Sequence, residues 1–205
     1  LPPPASVEPF AKPTPFAFRL GAGLAWRLGN SPHDVPPRFG WGLGASFLKT
    51  VTVPAPGVSL RGRLDFFHHR FVATDHVIQE DDQGPKSLSA TRLVNQTSFL
   101  LGPELAVDFG VLRATLGVAG GLSIGYFHSI APAFVPGNLT AYEFAVGADC
   151  GLFYRWSRLW AFGVRGAWRT PVWPGVPRLE GDDNVPARDV FGPWTDVGLA
   201  AEYGF

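Results

Sequence analysis

The chain has 205 residues, with 17 basic and 17 acidic side chains, 25 Gly, 20 Pro, one Cys and no Met. A hydrophobic fraction of 46% with 14% aromatics excludes a disordered polyelectrolyte. Zero net charge without a basic block argues against non-specific nucleic-acid binding, and the lone Cys150 excludes a disulfide framework or a Cys-rich zinc site. No apolar run reaches the roughly 18 residues of a membrane-spanning helix; the best candidate, Ala114 to Phe127, is short and interrupted by glycine.

The opening stretch, Leu1 to Pro15, is Pro-rich and lacks a period, and reads as an extended periplasmic tail. Its first residues, Leu1-Pro2-Pro3-Pro4-Ala5, resemble the new end left when a signal peptide is removed. From Phe16 the period becomes two. Through Leu28 the even positions are Phe, Leu, Ala or Trp, and the odd positions are Ala, Gly or Arg. In a strand these sets lie on opposite faces.

The same alternation returns along the chain. Phe39, Trp41, Leu43, Ala45 and Phe47 alternate with Gly and Ser; Val58, Leu60, Leu64 and Phe66 alternate with Ser59, Arg61, Arg63 and Asp65. Further segments run over Phe99–Phe109, Leu112–Ile124, Tyr142–Tyr154, Trp160–Trp168 and Val197–Phe205. The pattern predicts about eight strands of about 10 to 15 residues.

The predicted connections alternate in length. Gly29–Pro37, Ala73–Leu88, Ser129–Asn138 and Thr170–Val190 are long; Pro54–Gly57, the turn at Asp108-Phe109-Gly110, and Arg155–Arg158 are short. Long loops on one side and short turns on the other are the layout of a transmembrane barrel. A period of two also fits a soluble lipocalin-like barrel, whose apolar set points inward. Composition favours the membrane: the polar set is Gly, Ala, Ser and isolated charges, and the chain has three lysines. Trp26, Trp41, Trp160, Trp168 and Tyr203 lie toward strand ends, where amphipathic rings suit a lipid interface.

Lipid leaves no water to satisfy an open sheet edge, so the barrel must close. The inward set then carries Arg19, Arg61, Arg63, Arg113 and Arg165 against Asp65, Glu104, Glu143, Asp149, Asp196 and Glu202. Buried charges need partners, which predicts an Arg–carboxylate ladder filling the lumen.

With these residues in view, the chain resembles small, eight-stranded bacterial outer-membrane β-barrels of the OmpA- and OmpX-like class, over about Phe16 to Phe205. The C-terminal Val197, Leu199, Ala201, Tyr203 and Phe205 look like the signal read by the barrel-assembly machinery of that class. The resemblance implies an all-β, up-and-down transmembrane barrel with a tail over 1–15 and a barrel over 16–205. It implies an outer-membrane location, contact with lipids and lipopolysaccharide, and no cofactor. No peptidoglycan-binding domain follows the barrel, so an OmpA-like anchoring role does not carry over.

The resulting expectation is a non-enzymatic outer-membrane protein acting structurally or through its loops. Alternatives are a narrow, porin-like pore, a lipid A-modifying enzyme, and a subunit of a larger envelope complex docked through the tail or loops. A deacylase reading needs His128, Ser129 and Glu143 to converge, although adjacent residues of a strand face opposite sides. Ser98 and Ser123 read as lumenal without a paired His. A metal site at His68-His69 needs another ligand, with Asp75, His76 and Asp82 the candidates. No metal site is assigned. Asn95-Gln96-Thr97 and Asn138-Leu139-Thr140 match the glycosylation sequon by chance. Cys150 is predicted to face lipid as a small apolar residue. Acidic residues in the long loops, including Glu80, Asp81, Glu180, Asp182 and Asp183, are solvated or bridge cations to lipopolysaccharide phosphates.

Overall fold

The computed structural model describes residues 13–28, 39–81, 84–130, 138–173 and 192–205; for 73–81, 84–92, 129–130, 138–139 and 173 only the backbone course is described. Eight strands appear in chain order: β1 (Phe16–Arg27), β2 (Phe39–Ala55), β3 (Val58–Asp81), β4 (Gly84–Phe109), β5 (Leu112–Ile130), β6 (Asn138–Arg155), β7 (Trp160–Trp173) and β8 (Trp194–Gly204). Each pairs antiparallel with the next, and β8 returns to β1, closing the ring. Glu202 lies opposite Arg19 in that closing ladder, and Leu199 opposite Ala22.

The chemistry of the turns fixes one end. Ala55 pairs with Val58 and Phe109 with Leu112, leaving two-residue turns in which Gly57 (φ 76°) and Gly110 (φ 63°) adopt the left-handed conformation. Residues 156–159 make the third short connection at the same end. Both chain ends described lie there too: Phe16 and Phe205 exchange backbone hydrogen bonds at 3.1 and 2.8 Å. Pro15 and Thr14 offer their carbonyls to the amide and hydroxyl of Thr50, each at 2.9 Å, which ties the end of the tail segment to β2. Residues 1–12 lie outside the described residues.

The structure departs from the expected strand lengths at one hairpin. Ala73–Leu88 was expected as a long polar loop, but its backbone continues β3 and β4, paired as far as Asp81–Gly84 around positions 82–83. β3 and β4 therefore reach 24 and 26 residues, well past the apolar band. A ladder only needs its backbone groups paired, and polarity on both faces marks a strand standing in water rather than a loop.

The β4–β5 ladder keeps one register across a short gap, from Leu101–Gly120 to Glu104–Gly117. Gly102 sits in this gap, where an added Cβ would collide with the Val118 carbonyl, so only glycine allows the approach. Pro103, without an N–H, follows it. Glu104 faces the lumen by the same parity as the buried Leu100 and Ala106.

The faces are divided as the alternation predicts. Leu20, Leu43, Leu64, Leu101, Leu116, Leu152, Val164 and Leu199 are exposed around the outside, whereas arginines and carboxylates are buried within. Cys150 lies in the exposed apolar set. Trp41, Trp160, Trp168 and Tyr203 are exposed and Trp26 is half-exposed. Trp160 and Tyr203 pack with ring centroids 4.8 Å apart near the turn end, while Trp26, Trp41 and Trp168 stand at the loop-side ends of their strands. Val197, Leu199 and Phe205 are exposed on β8 and just beyond it, with Phe205 against Phe16 and Tyr203.

Candidate functional site

Among the described residues, the lumen is where polar chemistry gathers. Inward parity on each strand brings eight buried arginines (Arg19, Arg27, Arg61, Arg63, Arg113, Arg155, Arg165, Arg169) around Asp65, Glu104, Glu143, Asp149 and Glu202. Asp108 and Asp196, each 16% exposed, join them. The set is close to neutral, as a low-dielectric interior requires.

At the turn side the pairing is dense. Arg19 donates to both oxygens of Glu104, at 2.7 and 3.1 Å, and to Glu202 at 2.6 and 3.1 Å. Arg61 donates to Glu104 and, at 2.7 Å, to Glu202. Arg113 bridges Glu202 (2.7 Å) and Asp108 (2.7 and 3.2 Å), and Arg155 reaches Asp108 at 3.0 Å. Planar guanidinium forks facing two-oxygen carboxylates explain why arginine fills this role and lysine does not.

A second tier lies above the first. Arg63 contacts Asp149 at 2.5 and 2.8 Å and Glu104 at 3.2 Å. Its Nε lies 2.7 Å from Asp65 without hydrogen-bond alignment, and Arg165 reaches Asp149 at 3.2 Å and Asp65 at 3.9 Å. The Phe67 ring closes this tier, with Arg165 at 4.7 Å and Arg169 at 3.9 Å from its centroid. Arg169 then pairs with Asp196, which also meets His69 Nε2 at 3.2 Å.

The loop-side half of the lumen is different. Phe71, Val94, Phe127, Ala141, Ala145 and Trp194 form a continuous buried apolar cluster with Phe67 and Leu100. Ser98 and Ser123 share a hydrogen bond at 3.0 Å, and Gln96 donates to Ser123 at 3.3 Å. The Glu143 carboxylate, buried at 2% exposure, has no hydrogen bond to either oxygen, and no ion pair joins it among the described residues. Glu143 thus lies in the lumen, as its parity predicts, but outside the Arg–carboxylate pairs. Glu143 stands one rung above Phe144–Trp173, the uppermost β6–β7 pair, where no guanidinium reaches its oxygens.

Sequence reasoning passed over several lumenal groups. Arg27, Arg155 and Arg169 share parity with the charges it named but stand at the ends of their strands, where turn and interface readings competed. Asp108 was assigned to a turn, and Trp194 fell outside the expected final strand. The parity of each was the signal available.

The remaining candidate sites do not assemble. His68 lies on the outward face, bonded to Thr97 at 2.9 Å, while His69 points inward. Among the described residues no group of metal-ligating side chains converges. The side chains of Asp75, His76 and Asp82 lie outside the described residues, as do those of Glu80, Asp81, Glu180, Asp182 and Asp183. His128 stacks on the exposed Tyr126 at 6.3 Å while Glu143 is buried inside the barrel, so the two do not converge; the Ser129 side chain is outside the described residues.

With the closed ring and charged interior established, comparison with solved structures is decisive for the fold. Neisserial surface protein A matches with a TM-score of 0.54 at 11% identity, over 94% of this chain and 98% of that one. The chain folds as a small outer-membrane β-barrel. The attachment invasion locus protein Ail of Yersinia pestis matches with a TM-score of 0.51 at 12% identity, over 95% of this chain and all of that one (100%). A major outer membrane protein from Thermus thermophilus matches with a TM-score of 0.50 at 14% identity, over 93% of this chain and 99% of that one. No protein-family model matches the sequence, and no curated protein matches it.

Proposed function

We propose that this chain is an integral, non-enzymatic protein of a bacterial outer membrane, with a sealed lumen, that acts through its loop-side surface. The observation that carries the reading is the inversion of polarity. The outside is an apolar band edged by aromatic rings, and the inside holds paired charges. In water that arrangement exposes the wrong face; in a bilayer it matches each face to its surroundings. Two stacked tiers of Arg–carboxylate pairs occupy the bore between β1, β3, β4, β5, β6 and β8 and support a plug.

Outer-membrane lipids and lipopolysaccharide are the partners proposed for the apolar band. The exposed Val197, Leu199, Tyr203 and Phe205 suit recognition by the barrel-assembly machinery during biogenesis. An envelope protein met through the tail or the loops is a further proposed partner. The non-enzymatic reading is supported by the separation of His128 from Glu143 and by the mutual bonding of Ser98 and Ser123.

One observation favours a narrow pore as the second reading. A cavity of about 30 Å³ runs along the glycine wall of β8, β1 and β2, from Arg19 and Ser46 toward His69 and Asp196. It holds about one or two waters and stops short of a continuous file. Single-channel recording of the refolded chain in planar bilayers separates the readings. Silence, with insertion verified by heat-modifiable gel migration, is expected for the wild type. Steady conductance that changes in the double variant Arg61→Ala, Glu104→Ala overturns the plug and makes the lumen a pore.

A further inference from the structure

The outward faces of the eight strands carry almost no charge. Among the described residues, Lys49 and Arg70 are the only Lys, Arg, Asp or Glu side chains on them, and both are exposed. They stand at opposite rims. Lys49 on β2 lies opposite Phe16 near the turn end, and Arg70 on β3 lies opposite Trp41 near the loop end. Among the described residues, Arg70 has neither a hydrogen bond nor an ion pair. A carboxylate partner is what the lumenal arginines have and what this outward one lacks.

Arg70 is set in a belt of polar and aromatic side chains. Trp41, Arg70, Asn95 and Tyr126 form one continuous rung across β2, β3, β4 and β5. Side chains directly opposite on one face have Cβ atoms about 4.5–5.5 Å apart, so this rung is a contiguous surface. One rung toward the middle, His68 lies opposite Thr97 and shares a hydrogen bond with it at 2.9 Å, with the Trp41 ring 6.1 Å away. Further along β5 the His128 ring stacks on Tyr126, the planes 9° apart. The other side of the rim differs: Trp26, Thr195 and Trp168 share one rung across β1, β8 and β7, with no cationic side chain among them. Below Arg70, Phe66 and Leu64 continue the same face of β3 as exposed apolar side chains. A lipid with its headgroup at Arg70 would lay its chains along them.

We propose that this belt binds the anionic phosphate of a lipid in the loop-side leaflet. Arg70 supplies the charge, the Asn95 amide a further N–H donor, and Trp41 and Tyr126 the amphipathic rings that flank the headgroup. A guanidinium presents two parallel N–H donors to two phosphate oxygens, which a point charge does not. An arginine that merely snorkels to the interface has no preference among headgroups; one built into a site distinguishes an anionic phosphate from a neutral headgroup. The site rests on the membrane placement proposed above and is independent of the lumen, so a silent bilayer recording leaves it intact.

The test uses the full chain refolded in phosphatidylcholine nanodiscs that contain a minor fraction of diphosphoryl lipid A, with dephosphorylated lipid A as the neutral counterpart. Lipid retained by the chain on release is counted by native mass spectrometry. The expected result is retention of the phosphorylated form over its counterpart, lowered about fivefold or more by Arg70→Gln and partly kept by Arg70→Lys. Lys49→Gln, at the opposite rim, should leave it unchanged. Arg70 has no bonded partner to lose, so Arg70→Gln is expected to refold like the wild type. Equal retention of the two lipids by an inserted wild-type chain overturns the proposal. So does unchanged retention in Arg70→Gln, an equal fall in Lys49→Gln, or release of the lipid by inorganic phosphate, which would make the site one for the free ion. A chain that does not insert, seen as the loss of heat-modifiable migration, overturns the membrane reading itself.

Discussion

The two halves of the lumen solve the same burial problem in opposite ways. At the turn side, Glu104 and Glu202 each accept from several arginines, and Arg19 links them directly. At the loop side, apolar rings fill the bore, and the Glu143 carboxylate, the Gln96 Oε1 and the Trp194 indole N–H are left without partners. The turn half is thus a fastener, in which every charge constrains its neighbours. The loop half has no such lattice.

The sharpest way to break this contrast is at Glu104. Glu104→Ala removes the shared partner of Arg19, Arg61 and Arg63 and leaves buried guanidinium groups uncompensated. A loss of about 3–5 kcal/mol is expected, read as a fall in the urea midpoint of the refolded chain in vesicles. A loss under about 1 kcal/mol would show that water already serves the turn half, and the fastener description would go.

The outer face gives the next largest effect. Leu199 lies near the middle of β8 and is 73% exposed, opposite Ala22 and Val164. Leu199→Arg should cost about 2–4 kcal/mol, and Phe205→Arg, at the rim, about 0–1 kcal/mol. Equal penalties at the two sites would remove the depth dependence that lipid imposes, and with it the membrane placement.

These effects rest on features of unequal legibility. The alternation of Phe16 through Leu28 showed which face of β1 is which, because a strand has only two faces. The same parity placed Arg61, Arg63 and Asp65 together on one side of β3. It could not say that Arg61 reaches across to Glu202, 141 positions away, since partner choice depends on barrel closure. The length of the β3–β4 hairpin was illegible for another reason. Once strands leave the bilayer, neither face is obliged to be apolar, so Asp75 and Glu80 looked like loop residues. The absence of a partner for Glu143 was hidden because parity shows direction, while pairing depends on what stands opposite at the same height.

The boundary between the halves can be tested at Gly44. A Cβ there would lie 2.5 and 2.6 Å from two carbons of the Phe67 ring, so Gly44→Ala forces that ring to move. Phe67 carries the Arg165 and Arg169 contacts that close the second tier. Overpacking of this kind costs about 1–3 kcal/mol, and the urea midpoint should fall accordingly. A neutral result would mean that Phe67 has room to shift, which weakens the division between the halves.

The smallest expected effect is the most telling, because its sign differs from the rest. Glu104→Ala deletes a partner; Glu143→Gln deletes a charge that has no hydrogen bond to lose. The amide keeps the shape of the side chain and is less costly to bury than an unpartnered carboxylate. Glu143→Gln should therefore raise the urea midpoint, by about 1 kcal/mol in stability. A gain in stability would set Glu143 apart from the turn-side acids, whose removal costs stability. If the variant is instead destabilised by as much as Glu104→Ala, Glu143 contributes to the same charge lattice as the turn-side acids. The two halves would then differ only in density.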